Sequence, residues 1–272
     1  MKTKLKALAV VGIIGILAGC TPIFDDTVPV QENGSTTPSV QTTNTITIGA
    51  LLPLTGEKAA IGGAIKQSMQ LALDKANADF TSAKFAIDFF DDACTEETAK
   101  TAMNDLITVK KVKVVIGGVC DAATLAAAQI AEQNKVVFFS PANGNPALTT
   151  AGDFIFRNYQ FDSSTEQLSN DSNKYPALAE FLSKFAAGSI SSKSIQSAAT
   201  SSYDAVLIIR EAIDKVGEEP SKIKDYLYTI KGRKGLGTNL SFDANGDPSG
   251  QVYSTGTTTT EGTSTTEGTA GN

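Results

Sequence analysis

The chain of 272 residues contains no histidine and no tryptophan. Without imidazole, every mechanism that needs a histidine general base, proton shuttle or metal ligand is excluded at the outset. Positive charge is scarce too. Against 29 Asp and Glu stand 23 Lys and Arg, a formal charge of -6 and the wrong sign for neutralising nucleic-acid phosphates. The three cysteines are too few for a disulfide-built scaffold and leave an odd one to explain. The apolar run from Ala7 to Leu17 is too short to span a bilayer. What is present is 41% apolar side chains, enough for one globular core or two small ones.

Composition shifts at both ends shorten the part that can fold. Residues 1–19 carry a lysine-bearing start, the short apolar run and small residues before Cys20, the pattern of a secretory signal. Leu17-Ala18-Gly19-Cys20 resembles the lipobox of bacterial lipoproteins, which implies a lipidated Cys20 and anchoring to the cell membrane, on its periplasmic or cell-surface side. An ordinary signal with an incidental Cys20 is the alternative. Residues 20–44, rich in Pro, Ser, Thr, Gln and Asn, read as a flexible tether. Residues 254–272, built around Thr-Thr-Glu-Gly repeats, read as a disordered tail.

Between them, strand and helix patterns alternate. Thr45 to Leu52, Phe85 to Asp91, Val112 to Ile116, Val136 to Phe139 and Asp153 to Asn158 read as strands. Helices are expected up to about Ala78, from Glu96 to Val109 with Thr95 as cap, and from Ala122 to Asn134. Later helices are expected over Pro176 to Phe185 and Ser197 to Val216. Strands separated by helices of this length imply right-handed crossovers, hence an α/β fold with a parallel sheet and helices on both faces. The loops beyond the carboxyl ends of such strands converge and receive helix N-termini. Three qualify: Pro53 to Gly63, Gly117 to Ala122 and Ser140 to Pro146. Their glycine-flanked N–H groups suit a small anion such as a carboxylate.

At these residues the chain resembles a known family. Ile48-Gly-Ala-Leu-Leu-Pro-Leu-Thr-Gly56, Asp91-Asp92-Ala93-Cys94, Val115-Ile-Gly-Gly-Val-Cys120 and Phe139-Ser-Pro-Ala142 resemble the first lobe of leucine/isoleucine/valine-binding proteins. Those are type 1 periplasmic substrate-binding proteins of branched-chain amino acid ABC transporters. Tyr203 to Ile213 and Leu240-Ser-Phe-Asp-Ala-Asn-Gly-Asp247 resemble the family's late helix and C-terminal β-hairpin. The resemblance implies a disulfide between Cys94 and Cys120, worth roughly 3 kcal/mol on the chain-entropy model. Two buried free thiols are the alternative.

The resemblance further implies a small amino-acid-like ligand held by Gly118, Asp121 and Ala122 and by Ala142, Asn143 and Gly144, with Thr55 and Gly56 at the rim and Ile61 as a wall. The match is imperfect. Asp121 and Gly144 stand where the family usually has a hydroxyl, and Ile61 where it has an aromatic. An Asp121 carboxylate could attract an ammonium but would repel a carboxylate nearby by about 1 to 4 kcal/mol, depending on exposure. Capping the helix that begins at Ala122 is the other reading of Asp121.

The chain also departs from the family in length. Residues 45–160 cover the first lobe, and 176–253 are expected to supply returning helices and a hairpin that complete it. Between them, where the family inserts a second lobe of on the order of a hundred residues, residues 161–175 are a polar linker. One lobe offers an open shelf, which could weaken binding by about 3 to 5 kcal/mol. It would also expose the former interlobe face, a surface for a homodimer or another protein partner.

Other motifs carry less. Asp243-Ala-Asn-Gly-Asp247 begins like a calcium loop, but Pro248 replaces the required Gly, and a hairpin with an Asn-Gly turn explains it better. Gly232 to Gly237 reads as a loop, and Ser140 lacks any residue to activate it. The expectation is an exported, lipid-anchored solute-binding protein that serves an ABC permease, without catalytic residues, cofactor or metal. A single-lobe surface lipoprotein acting through protein contacts is the second reading.

Overall fold

The computed structural model describes residues 45–79, 83–159, 176–186, 188–190, 192–236 and 239–249. The expected signal, Cys20, the tether, the linker at 161–175 and the tail from Ser254 lie outside the described residues.

Strand β1 (Thr45–Leu52) is buried on both faces from Ile48 onward, as a strand inside a two-sided sheet must be. It pairs in parallel with β2 (Lys84–Asp91) along its whole length and with β3 (Val114–Gly117) over Gly49–Leu51. With β4 (Val137–Ser140) and β5 (Ile155–Arg157) also parallel, the order is β2-β1-β3-β4-β5. The strand order reverses between β1 and β3, which is where such a sheet opens a crevice beyond its carboxyl ends.

Side-chain alternation decides which helices cover which face. Ile48, Ala50 and Leu52 of β1, Ile116 of β3 and Phe139 of β4 share the face covered by α1 (Ala59–Asp79), α5 (Lys193–Val216) and α6 (Pro220–Thr229). Leu51, Val115 and Phe138 share the other face with α2 (Glu96–Thr108) and α3 (Asp121–Asn134). Each large side chain buried here contributes about 1.5 to 3 kcal/mol. A Cβ at Gly49 would lie 2.9 Å from the Leu106 side chain, so this glycine lets α2 sit directly on β1. Helix α4 (Pro176–Ser183) packs Leu178 and Phe181 with Phe185 and Ala199 in a smaller cluster. Among the described residues no helix is long and apolar enough to cross a membrane.

Several boundaries differ from the sequence reading for local reasons. Thr95 does cap α2, its Oγ1 accepting the Thr98 N–H at 3.1 Å. Helix α3 starts at Asp121 rather than Ala122 with Cys120 as the N-cap residue, so Asp121 is not the cap. Helix α5 starts ahead of the expected Ser197 because Ser192 accepts the Ile195 N–H at 3.2 Å. Helix α6 was not anticipated at all: Pro220 opens it, and Ile223 and Leu227, one turn apart, are fully buried. Within the presumed loop Gly232 to Gly237, Arg233–Lys234 form β6, antiparallel to β7 (Asn239–Leu240).

The expected C-terminal hairpin is present beyond β7. Ser241 and Ser249 exchange backbone hydrogen bonds at 3.0 and 2.7 Å, and Asn245-Gly246 sit in the turn. The hairpin closes the sheet past β5, because Gly246 accepts the Arg157 N–H at 3.1 Å. The Arg157 guanidinium grips Asp247 through Nε and, at 2.7 Å, through Nη2, and donates from Nη1 to the Asn145 carbonyl at 2.9 Å. Asp247, half of the calcium-like motif, is thereby taken by an arginine. Gly246 has φ +74°, and a Cβ there would overlap the Ile155 carbonyl oxygen. Gly246→Ala is therefore expected to cost about 2 kcal/mol or more. Thermal unfolding checks this; an unchanged midpoint would mean that the hairpin is not docked on β5.

Candidate functional site

Four loops emerge at the carboxyl ends of β1 to β4, and side chains tie each to the next. Asp91, the last residue of β2, accepts the N–H groups of Leu54 and Ala93, each at 2.8 Å, through Oδ1. Its Oδ2 accepts the Thr55 hydroxyl at 2.5 Å. Burial alone would push this carboxyl up. The hydroxyl of Thr55 and the N–H groups of Ala93, Leu54 and Thr55 outweigh burial and hold Asp91 below the usual carboxylate range. Thr55, expected at the ligand rim, is therefore a strut between two loops.

The turn after Asp91 is unusual. Ala93 and Cys94 have φ of +45° and +57°, a left-handed pair without glycine. Asp91 and Asp92 each accept the N–H two residues on, at 2.8 and 2.9 Å, and these bonds support the conformation. Asp92 is fully buried, and its Oδ2 has no hydrogen-bond partner among the described residues. Burial accordingly pushes its carboxyl up, offset in part by the Cys94 N–H. From this turn Cys94 bridges to Cys120 with a Cα–Cα separation of 5.3 Å, joining the β2 loop to the β3 loop.

The third tie is Asn143, whose side chain turns inward. It is 2% exposed, and its Nδ2 lies 2.9 Å from Asp121 Oδ1, 3.2 Å from the Val119 carbonyl and 3.3 Å from Thr124 Oγ1. Its Oδ1 accepts the Asn145 N–H at 2.8 Å. Asn143 thus braces the β3 and β4 loops rather than offering its amide outward.

A cleft of about 500 Å³ opens beside these loops. One wall is the start of α1, with Glu57, Lys58 and Ile61; the next is Val119, Cys120 and Asp121. The third is the start of α5, with Ser192, Ser194 and Ile195. Of the residues nominated from sequence, Ile61 and Asp121 line this cleft. Gly118 is buried at φ +96°, gives its N–H to the Leu51 carbonyl at 3.1 Å, and would place a Cβ 2.6 Å from the Thr124 side chain. Its glycine serves loop packing. Gly56, Ala122, Ala142 and Gly144 stand outside the cleft lining, Gly144 beside the Tyr159 ring. The α5 wall had no sequence signal tying it to Val119 to Asp121 or, more than a hundred positions earlier, to the start of α1.

A larger cleft, about 750 Å³, lies between the second half of α1, α4, α5 and β6. Its charges are largely spent on each other: Lys75 pairs with Asp79 at 2.8 Å and Lys184 with Glu180 at 3.1 Å. Asp204 accepts the Leu236 N–H through both oxygens. Converging loops and a helix N-terminus single out the smaller cleft.

A parallel sheet in this order, covered on both faces and carrying a cleft at the strand-order reversal, is the arrangement of a lobe of the type I periplasmic-binding-protein fold. Comparison with known proteins agrees: residues 45–170 match the periplasmic binding protein family. The chain is 30% identical over 115 residues to Leu/Ile/Val-binding protein homolog 3 of Brucella melitensis, covering 41% of this chain and 31% of that protein. It is also 30% identical over 122 residues to the leucine-, isoleucine-, valine-, threonine- and alanine-binding protein of Pseudomonas aeruginosa, covering 44% of this chain and 32% of that one. In fold it is similar to the branched-chain amino acid transporter substrate-binding protein LivJ of Streptococcus pneumoniae, solved with isoleucine. The TM-score is 0.60 at 18% identity, covering 75% of this chain and 94% of that one. Over residues 45–170 the chain is thus similar to periplasmic binding proteins, leucine/isoleucine/valine-binding proteins among them. The chain spans about a third of the length of these curated relatives.

Because the Asp91 carboxyl is held low in the folded protein, it adds stability above its unfolded pKa near 4, and that stability is lost as pH falls through the lower folded value. Asp91→Asn is expected to destabilise at about pH 7 and to converge with the parent at about pH 2. Urea unfolding at both pH values checks the sign, and hydrogen exchange at Leu54 and Thr55 should quicken in the variant.

Proposed function

We propose that this chain is the extracytoplasmic solute-binding component of an ABC transporter for branched-chain amino acids or related small ligands. Its ligand rests on the single sheet-based lobe, which a lipid on Cys20 tethers to the membrane. The observation that carries this reading is the cleft at the β1–β3 reversal, framed by braced loops and by the N-terminus of α3. The match of residues 45–170 to the periplasmic binding protein family supports it. The polar stretch at 161–175, where the family inserts its second lobe, supports a receptor built on one lobe.

An open shelf has a physical consequence. Good pockets cover about 70 to 90% of a ligand. Without a second wall, the lost contacts weaken capture by about a hundredfold to several thousandfold, into the range of millimolar dissociation constants. Titration calorimetry on the mature full-length protein with leucine, valine, leucine-like amines and short branched carboxylates at millimolar concentration tests this. Saturable heat from at least one supports ligand capture; its absence from all would end that reading.

A further inference from the structure

We propose that the cleft selects its ligand by an ammonium group and disfavours a carboxylate beside it, because the chain supplies its own carboxylate at the head of α3. This rests on reading the cleft as a ligand site.

The first N–H groups of a helix have no partners within the helix, and its N-terminus carries partial positive charge, so an external carboxylate would normally settle there. In α3 a carboxylate of the chain itself already stands in the first turn. Asp121 is the first helical residue, and the preceding Cys120 makes no side-chain capping bond. Asn143 fixes the Asp121 carboxylate from below at 2.9 Å and is itself held by the Val119 carbonyl and the Asn145 N–H. Asp121 is exposed and lines the cleft. The anion is thus built in and braced.

The remaining lining agrees in charge and shape. Among the described lining residues, Glu57 and Asp121 bring two carboxylates against the single ammonium of Lys58. Ile61, Val119 and Ile195 supply apolar wall for a short branched tail. A free amino acid carries its carboxylate one carbon from its ammonium, so docking the ammonium on Asp121 brings the ligand's carboxylate to the same first turn. Two like charges a few ångströms apart repel, and at a partly exposed site that repulsion is reduced by salt but not abolished. A small amine, or an amino acid whose carboxylate is masked as amide or ester, avoids it.

Three probes separate the groups: isoamylamine has leucine's tail and ammonium without the carboxylate, isocaproate has the tail and carboxylate without the ammonium, and leucine has both. Calorimetry on the mature full-length protein is expected to rank isoamylamine at least about tenfold tighter than leucine, with isocaproate weakest. Asp121→Asn, an isosteric change at an exposed position, should weaken isoamylamine by about tenfold and bring leucine and isocaproate closer to it. Glu57→Gln should weaken the amine by a smaller factor, and the ranking on the unaltered protein stands even if a variant folds poorly. Leucine or isocaproate binding as tightly as isoamylamine would overturn the inference while leaving ligand capture intact. No heat from any of the three would overturn both.

Discussion

The site depends on one constraint, the series of side-chain ties that locks the strand-end loops to each other. Each step is short and specific. Asp91 fastens the β1 loop to the β2 loop, the Cys94–Cys120 bridge fastens the β2 loop to the β3 loop, and Asn143 fastens the β3 loop to the β4 loop. Cross-links of this kind matter because loops pay conformational entropy of about 1 to 2 kcal/mol per ordered residue. If that cost fell at the moment of binding, it would be subtracted from the contact energy with the ligand. Here folding meets it beforehand.

The same ties explain why Asp92 can remain a buried carboxyl with an unpartnered oxygen. Its Oδ1 supports the left-handed Cys94, and without that support the turn would not deliver the thiol to Cys120. A cost at Asp92 is thus coupled to the covalent link that fixes α3, and α3 carries Asp121. Stability is spent at a strand end, and the order appears one loop away.

How much of this could be read from the sequence depends on how local the cause is. Strand β1 was legible to the residue because its β-branched run leads straight into a proline turn, and Thr95 was legible because capping is a contact across three residues. Helix α6 hid behind a highly charged segment whose two buried residues, Ile223 and Leu227, make too sparse a stripe to stand out. In the candidate site, the side-chain contacts within the chosen loops were not legible. Thr55 and Asn143 look like ligand donors in sequence; only the fold shows that their partners are Asp91, Val119 and Asp121, between 22 and 36 positions away. The α5 wall of the cleft is more remote still.

The two clefts differ in what lines them. The larger one is lined in part by two ion pairs, Lys75–Asp79 and Lys184–Glu180, which a ligand there would have to break to gain new ones, an exchange with little net return. The smaller one lies where the strand order reverses, with the starts of α1, α3 and α5 in its walls. In this chain the Asp121 carboxylate, held by Asn143, stands at the head of α3 and lines the cleft, without altering the sheet beneath.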